Sequence, residues 1–272
     1  MAAPGIDPKE QAKIDETLGR IRNRLLVFSG KGGVGKSTVA VNVAVGLALK
    51  GRRVGMLDVD IHGPNVAKML GAEGESLGMT PGEKIRPVEV AHGIKLVSMA
   101  YLLEGKDLPV VWRGPMKMRV IQQFLGDVDW GELDWLVIDS PPGTGDEPLT
   151  VAQLIPATAA LVVTTPQEVA LMDTRRAVKF AEMLKLRVLG VVENMSGLAC
   201  PHCGKEIELF KSGGGGAMAR EMLVPLLGRV PIDPAMVGSG DEGLPLISAH
   251  PDSPASKVLL EVVERVIEAE VK

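Results

Sequence analysis

Eight consecutive residues, Gly30-Lys31-Gly32-Gly33-Val34-Gly35-Lys36-Ser37, follow the pattern G-x-x-x-x-G-K-[ST]. Glycines at this spacing let successive backbone N–H groups turn inward around phosphate oxygens. A helix starting directly after them adds its dipole at the same end. In that arrangement Lys36 reaches the β- and γ-phosphates of a nucleotide, and Ser37 ligates Mg²⁺. Lys31 is a second cation, at the second position of the loop. It is poorly placed to serve the phosphate held by its own loop. Reaching across a dimer interface, it would neutralise charge on a partner's nucleotide, in the manner of an arginine finger. On its own, Lys31 reads equally well as a solvated surface lysine.

Acids follow at the ends of apolar runs. Asp58 and Asp60 sit in Leu57-Asp58-Val59-Asp60-Ile61-His62-Gly63-Pro64. Their period-two spacing sends both side chains the same way if the strand persists. One could orient a Mg²⁺-bound water and the other the attacking water. Asp139 closes the strongly apolar Trp135–Asp139 run, where a Walker-B acid belongs. Residues 140–146 combine rigid Pro with permissive Gly, so they could move as a unit and sense a γ-phosphate.

Cys200 and Cys203 form the chain's single C-x-x-C. That spacing suits one metal ion or one cluster edge. A closed zinc site needs four ligands, so one chain supplies half a site and a two-fold dimer would supply four thiolates. That suits a [4Fe–4S] cluster, or a zinc ion, bridging two subunits. A redox dithiol and inert loop cysteines are the other readings of the pair.

These residues need elements to position them, and the hydrophobic pattern supplies strands and helices in alternation. Residues 7–23 predict a polar helix, 24–28 a buried strand, and 36–50 an Ala- and Val-rich helix closed by Gly51. Strands follow at 53–57, 94–99, 135–139, 159–164 and 188–193, the last of the clear ones. Residues 116–125, 169–184 and 254–271 predict helices. Residues 71–93, rich in Gly, Glu and Pro, predict a surface excursion, and 196–216 a mobile Cys-containing loop leading into a helix. This order predicts an α/β fold: one doubly wound, mostly parallel sheet with helices on both faces. The 272 residues are expected to form a single domain with residues 1–22 as an N-terminal extension.

Composition narrows the function classes. A 46% apolar chain with 3% aromatic residues suits buried parallel strands under Ala-rich helices. A net charge of −4, without a run of like charges, favours neither nucleic acid nor an acidic membrane as partner. No secretory signal and no transmembrane stretch is evident, and two cysteines suit a reducing cytoplasm.

The phosphate loop, extended to Thr38, resembles the deviant Walker A of the MinD/ParA/nitrogenase-iron-protein class, a SIMIBI-type P-loop fold. Within that class, residues 58–64, 139–146, 164–169 and above all 193–204 (Glu193 through Cys200-Pro-His-Cys203 to Gly204) resemble the Mrp/ApbC (Nbp-type) iron–sulfur cluster carriers. The blocks run in family order over about residues 22–268. The resemblance implies an ATPase that binds ATP and Mg²⁺, forms a homodimer, and passes a bridging [4Fe–4S] cluster to apo iron–sulfur proteins. It implies that Lys31 crosses the dimer and that Gly30 to Thr38 enclose the phosphates. Asp60 would position the hydrolytic water, and Asp139 would hold Mg²⁺ through water, with Asp58 beside it. Asn194 would read the adenine edge next to Pro231 and Asp233, and Cys200 and Cys203 would bind the cluster. Only the bridging cluster is implied, because neither the Cys-rich segment nor the accessory domain that precedes this domain in some relatives is present. A MinD- or ParA-like positioning ATPase and a zinc-stapled regulatory dimer are the rival readings. Against the first, the final helix gathers Val258, Leu259, Val262, Val263, Val266 and Ile267 on one face opposite a face that is not basic. Packing onto the sheet is expected rather than lipid binding.

Overall fold

The computed structural model describes residues 7–102, 114–199, 202, 203, 205–207 and 209–270. Eight strands make the main sheet: β1 Ile21–Ser29, β2 Val54–Asp58, β3 Val88–Val90, β4 Ile94–Ser98, β5 Leu133–Asp139, β6 Ala159–Thr164, β7 Val188–Glu193 and β8 Leu226–Arg229. Their spatial order is β8-β7-β6-β1-β5-β2-β4-β3. Every neighbouring pair is parallel except β3 and β4. The chain leaves β1 toward one edge, returns to insert β5 between β1 and β2, then crosses to build β6, β7 and β8 on the other side. The winding direction therefore changes at β1, which opens a crevice at the carboxyl ends of the central strands.

Both faces of the sheet are covered, which is why its central strands read as continuous apolar runs. Along β1, Leu25 and Val27 enter one core layer and Leu26 and Phe28 the other. The first layer is closed by helices Lys36–Leu49 and Pro254–Glu268. The second is closed mainly by Pro8–Gly19, Gly114–Gly126, Asp146–Leu154, Glu168–Met183 and Gly214–Glu221. Helix Pro254–Glu268 starts where Ser253 accepts from Ser256 N at 3.1 Å and Pro254 takes the first turn. Its Leu259, Val262, Val263 and Val266 are fully buried, so the expected packing against the fold is observed. Among the described residues no helix is long and apolar enough to cross a membrane.

The elements differ from expectation at several places; helices Asp146–Leu154 and Pro234–Asp241, for example, were not expected. β1 begins at Ile21, and the first helix ends at Gly19 rather than running to Asn23. Asn23 obscures that boundary because it is a buried polar residue, its Nδ2 donating to Asp134 O at 3.0 Å. The 71–93 excursion holds a small hairpin, Gly78–Met79 with Ile85–Arg86, and the antiparallel edge strand β3. β8 was not expected; it is short and carries Gly228 against Val258 and Val262. The run Gly213–Gly216 is not a loose tether, since Gly213 (φ 80°) caps the helix that Gly214 opens.

Helix Lys36–Leu49 packs tightly at Gly46, where a Cβ would lie 2.5 Å from Val263 Cγ2 of helix Pro254–Glu268 and 3.2 Å from Ile247 Cδ1. Gly46→Leu is therefore expected to destabilise the fold by about 1–3 kcal/mol of overpacking, exceeding the roughly 1 kcal/mol gained in helix propensity. Urea denaturation checks this; an unchanged or raised midpoint would contradict the close packing.

Candidate functional site

Sheet register assembles the site. Val27 of β1 pairs with Asp139 of β5, Asp139 pairs with Asp58 of β2, and Asp58 pairs with Ser98 of β4. One row across four strands thus ends at the mouth of the crevice. The chain leaves β1 at Ser29 and turns through the glycine loop. Gly35 adopts φ 81°, a left-handed conformation that launches helix Lys36–Leu49. A Cβ on Gly35 would fall 2.1 Å from Asn194 Nδ2, so glycine is required there twice over.

The loop lysine turns into the row. Lys36 is 6% exposed, and its Nζ donates to Asp139 Oδ1 at 2.6 Å, with Asp60 Oδ2 at 3.5 Å. Ser37 Oγ donates to the other oxygen, Asp139 Oδ2, at 2.5 Å. Asp58 lies one strand further, its Oδ2 accepting from Ser98 Oγ at 2.8 Å and its Oδ1 from Asp60 N at 3.1 Å. Burial pushes the Asp58 carboxyl up to about 8, and the charge of neighbouring Asp139 adds to this. Burial also raises Asp139, against the stabilising charge of Lys36. Asp60 Oδ1 is buried and, among the described residues, has no hydrogen-bond partner.

Two cavities meet over the loop. One of about 380 Å³ is lined by Lys31, Gly33, Lys36, Ser37, Asp60 and Pro142. The other, of about 550 Å³, shares Gly35, Thr38, Asn65 and Met69 with it and continues to Asn194, Pro231 and Asp233. The first is the polar end and the second the more apolar end of one elongated groove. Asn194 Nδ2 donates to Val34 O at 2.9 Å, so this side chain braces the loop as it lines the groove. Asp233 caps helix Pro234–Asp241, accepting from Ala235 N at 3.0 Å. The Lys31 carbonyl accepts from Ser29 Oγ at 2.8 Å, and its ammonium has no partner among the described residues.

The site residues expected from sequence thus converge, with one exception. Cys203 is exposed, beyond the two-stranded pairing of Leu198–Ala199 with Glu206–Ile207. Cys200 lies outside the described residues. Among the described residues no group of three or more His, Cys, Asp or Glu gathers as a metal site. Sequence reasoning missed Ser98, which only the β2–β4 register reveals. It also missed Leu209 and Phe210, which line the larger cavity and stand out only as an apolar pair in a polar stretch.

A glycine loop on a helix N-terminus, a lysine and serine converging on a strand-end acid, and a groove beside them define a P-loop nucleotide-binding protein. The chain belongs to the NUBPL iron-transfer P-loop NTPase family, whose model matches residues 20–267. Proteins named iron-sulfur cluster carrier protein are 46% identical in Methanocaldococcus jannaschii, over 96% of this chain and 89% of that one. In Saccharolobus solfataricus the identity is 50%, over 94% and 86%. A nucleotide-binding protein from Archaeoglobus fulgidus, solved in complex with ADP, superposes with a TM-score of 0.77 at 40% identity, covering 85% of this chain and 90% of that one. The cell division ATPase MinD of Pyrococcus furiosus, at 24% identity and a TM-score of 0.65 over 91% of this chain and 99% of that one, shares the fold.

The raised Asp58 carboxyl has a sign that can be checked. The unfolded chain loses this proton near the ordinary value of 3.8, whereas the folded chain holds it to about 8. Between those values the unfolded state binds fewer protons, so stability falls as pH rises. Asn at this position keeps an acceptor for Asp60 N and offers a donor to Ser98. Asp58→Asn is therefore expected to flatten the fall in stability between about pH 5 and 8, the window set by the raised Asp58 carboxyl. Urea midpoints of nucleotide-free, EDTA-treated protein at the two pH values measure it; equal slopes in parent and variant would refute it.

Proposed function

We propose that this chain is an ATP-binding, slowly ATP-hydrolysing iron–sulfur cluster carrier that works as a homodimer, each protomer one ATPase domain. The observation that carries the reading is an exposed thiol, Cys203, together with an assembled phosphate site, in a chain 46–50% identical to proteins named cluster carriers. A phosphate loop alone supports nucleotide binding and nothing more specific.

In this reading the backbone of Gly30 to Thr38 encloses the phosphates and Lys36 meets the β- and γ-phosphates. The neighbouring oxygens of Ser37 and Asp139 and the unpartnered Asp60 Oδ1 suit a hard cation such as Mg²⁺. Ser37 and Asp139 would hold it, with Asp58 behind them, and bound there it would offset phosphate charge. Asp60, next to Lys36, positions the attacking water. Lys31 extends to the partner's nucleotide. Asn194 and the turn at Pro231 and Asp233 lie beside the base. Cys200 and Cys203 of two protomers bind a [4Fe–4S] cluster, the cargo passed to apo iron–sulfur proteins. The buried apolar face of helix Pro254–Glu268 leaves no such face there for membrane positioning.

Anaerobic reconstitution with iron and sulfide tests the carrier reading. A brown dimer with about one four-iron cluster per two chains is expected, and its loss in Cys203→Ala. Colourless protein that binds zinc and no iron, with ATPase activity intact, would replace it with the zinc-stapled dimer.

The nucleotide roles separate by mutation. Asp60→Asn is expected to bind ATP normally and to lose about 100-fold or more in hydrolysis rate. Lys36→Ala is expected to lose ATP binding and also to destabilise the nucleotide-free fold by about 3–5 kcal/mol, since Asp139 is left buried without its cation. Calorimetric titration and phosphate release measure both; undiminished turnover in Asp60→Asn would remove Asp60 from the mechanism.

A further inference from the structure

One fully buried acid takes no part in the nucleotide site. Glu193, the last residue of β7, is 0% exposed. Its carboxylate accepts from Ser196 Oγ, from Gly215 N, and from Gly213 N at 2.9 Å. Arg229 Nε stands 3.9 Å away. These donors come from the two ends of one segment. Ser196 lies where the chain leaves β7 toward Cys203; Gly213 and Gly215 lie where it enters helix Gly214–Glu221. That helix N-terminus favours a negative charge. The fit is close, since a Cβ on Gly215 would sit 2.7 Å from Glu193 Oε2.

The same segment reaches the nucleotide groove between its ends. Leu209 and Phe210 line the larger cavity together with Asn194 and Pro231. Asn194, the next residue after Glu193, donates to the phosphate-loop carbonyl of Val34. Gly197 O accepts from Ile232 N at 2.8 Å, tying the start of the segment to the turn that borders the same cavity. A molecule filling this cavity would therefore touch the segment that carries Cys203, and the segment's ends are held by one buried carboxylate.

We infer that Glu193 is a positioning residue that clamps both ends of the cysteine-bearing segment 196–213 and so makes the setting of Cys203 depend on whether the base cavity is filled. The inference rests on the reading that a nucleotide base occupies that cavity. It assigns the coupling to Glu193, Leu209 and Phe210, a route separate from residues 140–146 at the phosphate end. Gln at position 193 would lose the charge and turn an N–H donor toward groups that are themselves donors.

The experiment uses the full-length, reduced, cluster-free chain with and without Mg·ADP. It reads the rate of maleimide labelling of Cys203 by peptide mass, alongside Mg·ADP affinity by titration. In the parent chain, bound Mg·ADP is expected to change the Cys203 labelling rate several-fold. In Glu193→Gln, Mg·ADP is expected to bind within a few-fold of the parent while the labelling rate no longer responds. Circular dichroism and melting establish that the variant is folded. Phe210→Ala keeps the clamp but removes the cavity wall, and it is expected to lose the response in the same way. A nucleotide response retained in both variants overturns the inference, as does a parent whose labelling ignores bound Mg·ADP. Failure of Mg·ADP to bind the parent at all overturns the nucleotide reading itself, and this inference with it.

Discussion

The pairing of Lys36 with Asp139 is the constraint around which the rest of the structure is arranged. Both groups are taken out of water, at 6% and 0% exposure. A charge so placed costs several kcal/mol unless a partner compensates it. Here the partners are drawn from distant parts of the chain: a loop lysine at the start of a helix and an acid 103 residues later. Only a fold that fixes the end of β5 beside the end of β1 can bring them within 2.6 Å. Ser37 completes the arrangement on the acid's second oxygen. An arriving phosphate offers Lys36 a competing anion, so the Lys36–Asp139 contact is one that a nucleotide would exchange.

Parallel register extends this logic across the sheet. On one side of β1, the row Asp139, Asp58 and Ser98 places three polar side chains at successive strand ends. On the other side, Thr164, Glu193 and Arg229 occupy the equivalent row of β6, β7 and β8. Parallel strands put all their carboxyl ends at one edge, so both rows face the same rim of the molecule. The first row surrounds the phosphate loop. The second lies next to Asn194, which lines the larger cavity, and its Glu193 holds the ends of the cysteine-bearing segment. A single secondary-structure choice thus places the phosphate loop and the anchor of the cysteine-bearing segment on one edge.

The parts legible in the sequence were those whose chemistry requires contiguous residues. The phosphate loop, the acid-terminated strands and the alternation of strand with helix could be read because backbone geometry and burial demand them locally. Residues whose roles depend on register were harder to read. Ser98 matters only because β4 lies against β2, and nothing near it in sequence points to Asp58. Glu193 was visible within a family-like block, but its function as an internal anchor depends on glycines about 20 residues away folding back onto it. The glycine run itself misled, because glycine suits both a slack tether and a surface that must let another group approach closely. Contact distances at Gly214, Gly215 and Gly216 show the second. The short strand β8 was hidden for a similar reason, since Gly228 weakens the apolar signal while making room for Val258 and Val262.

The two functional elements are held by different means, and the difference fits different tasks. The phosphate loop is embedded: Gly30 packs against the Asp173 backbone, Gly35 against Asn194, and Val34 is buried. A loop that must present its N–H groups in a fixed array gains from such rigidity, because ordering on binding would otherwise weaken the complex. Among the described residues of the cysteine-bearing segment, by contrast, the ends are tied down by polar contacts, while Cys203, Ile207 and Leu209 are exposed. Elements with few buried apolar contacts occupy the low end of local stability. That setting suits the role proposed for Cys203, holding a cargo that must be both taken up and released. A cluster ligand locked into the core would bind well and release poorly, whereas one anchored at a buried carboxylate keeps its place in the chain and its access to an acceptor.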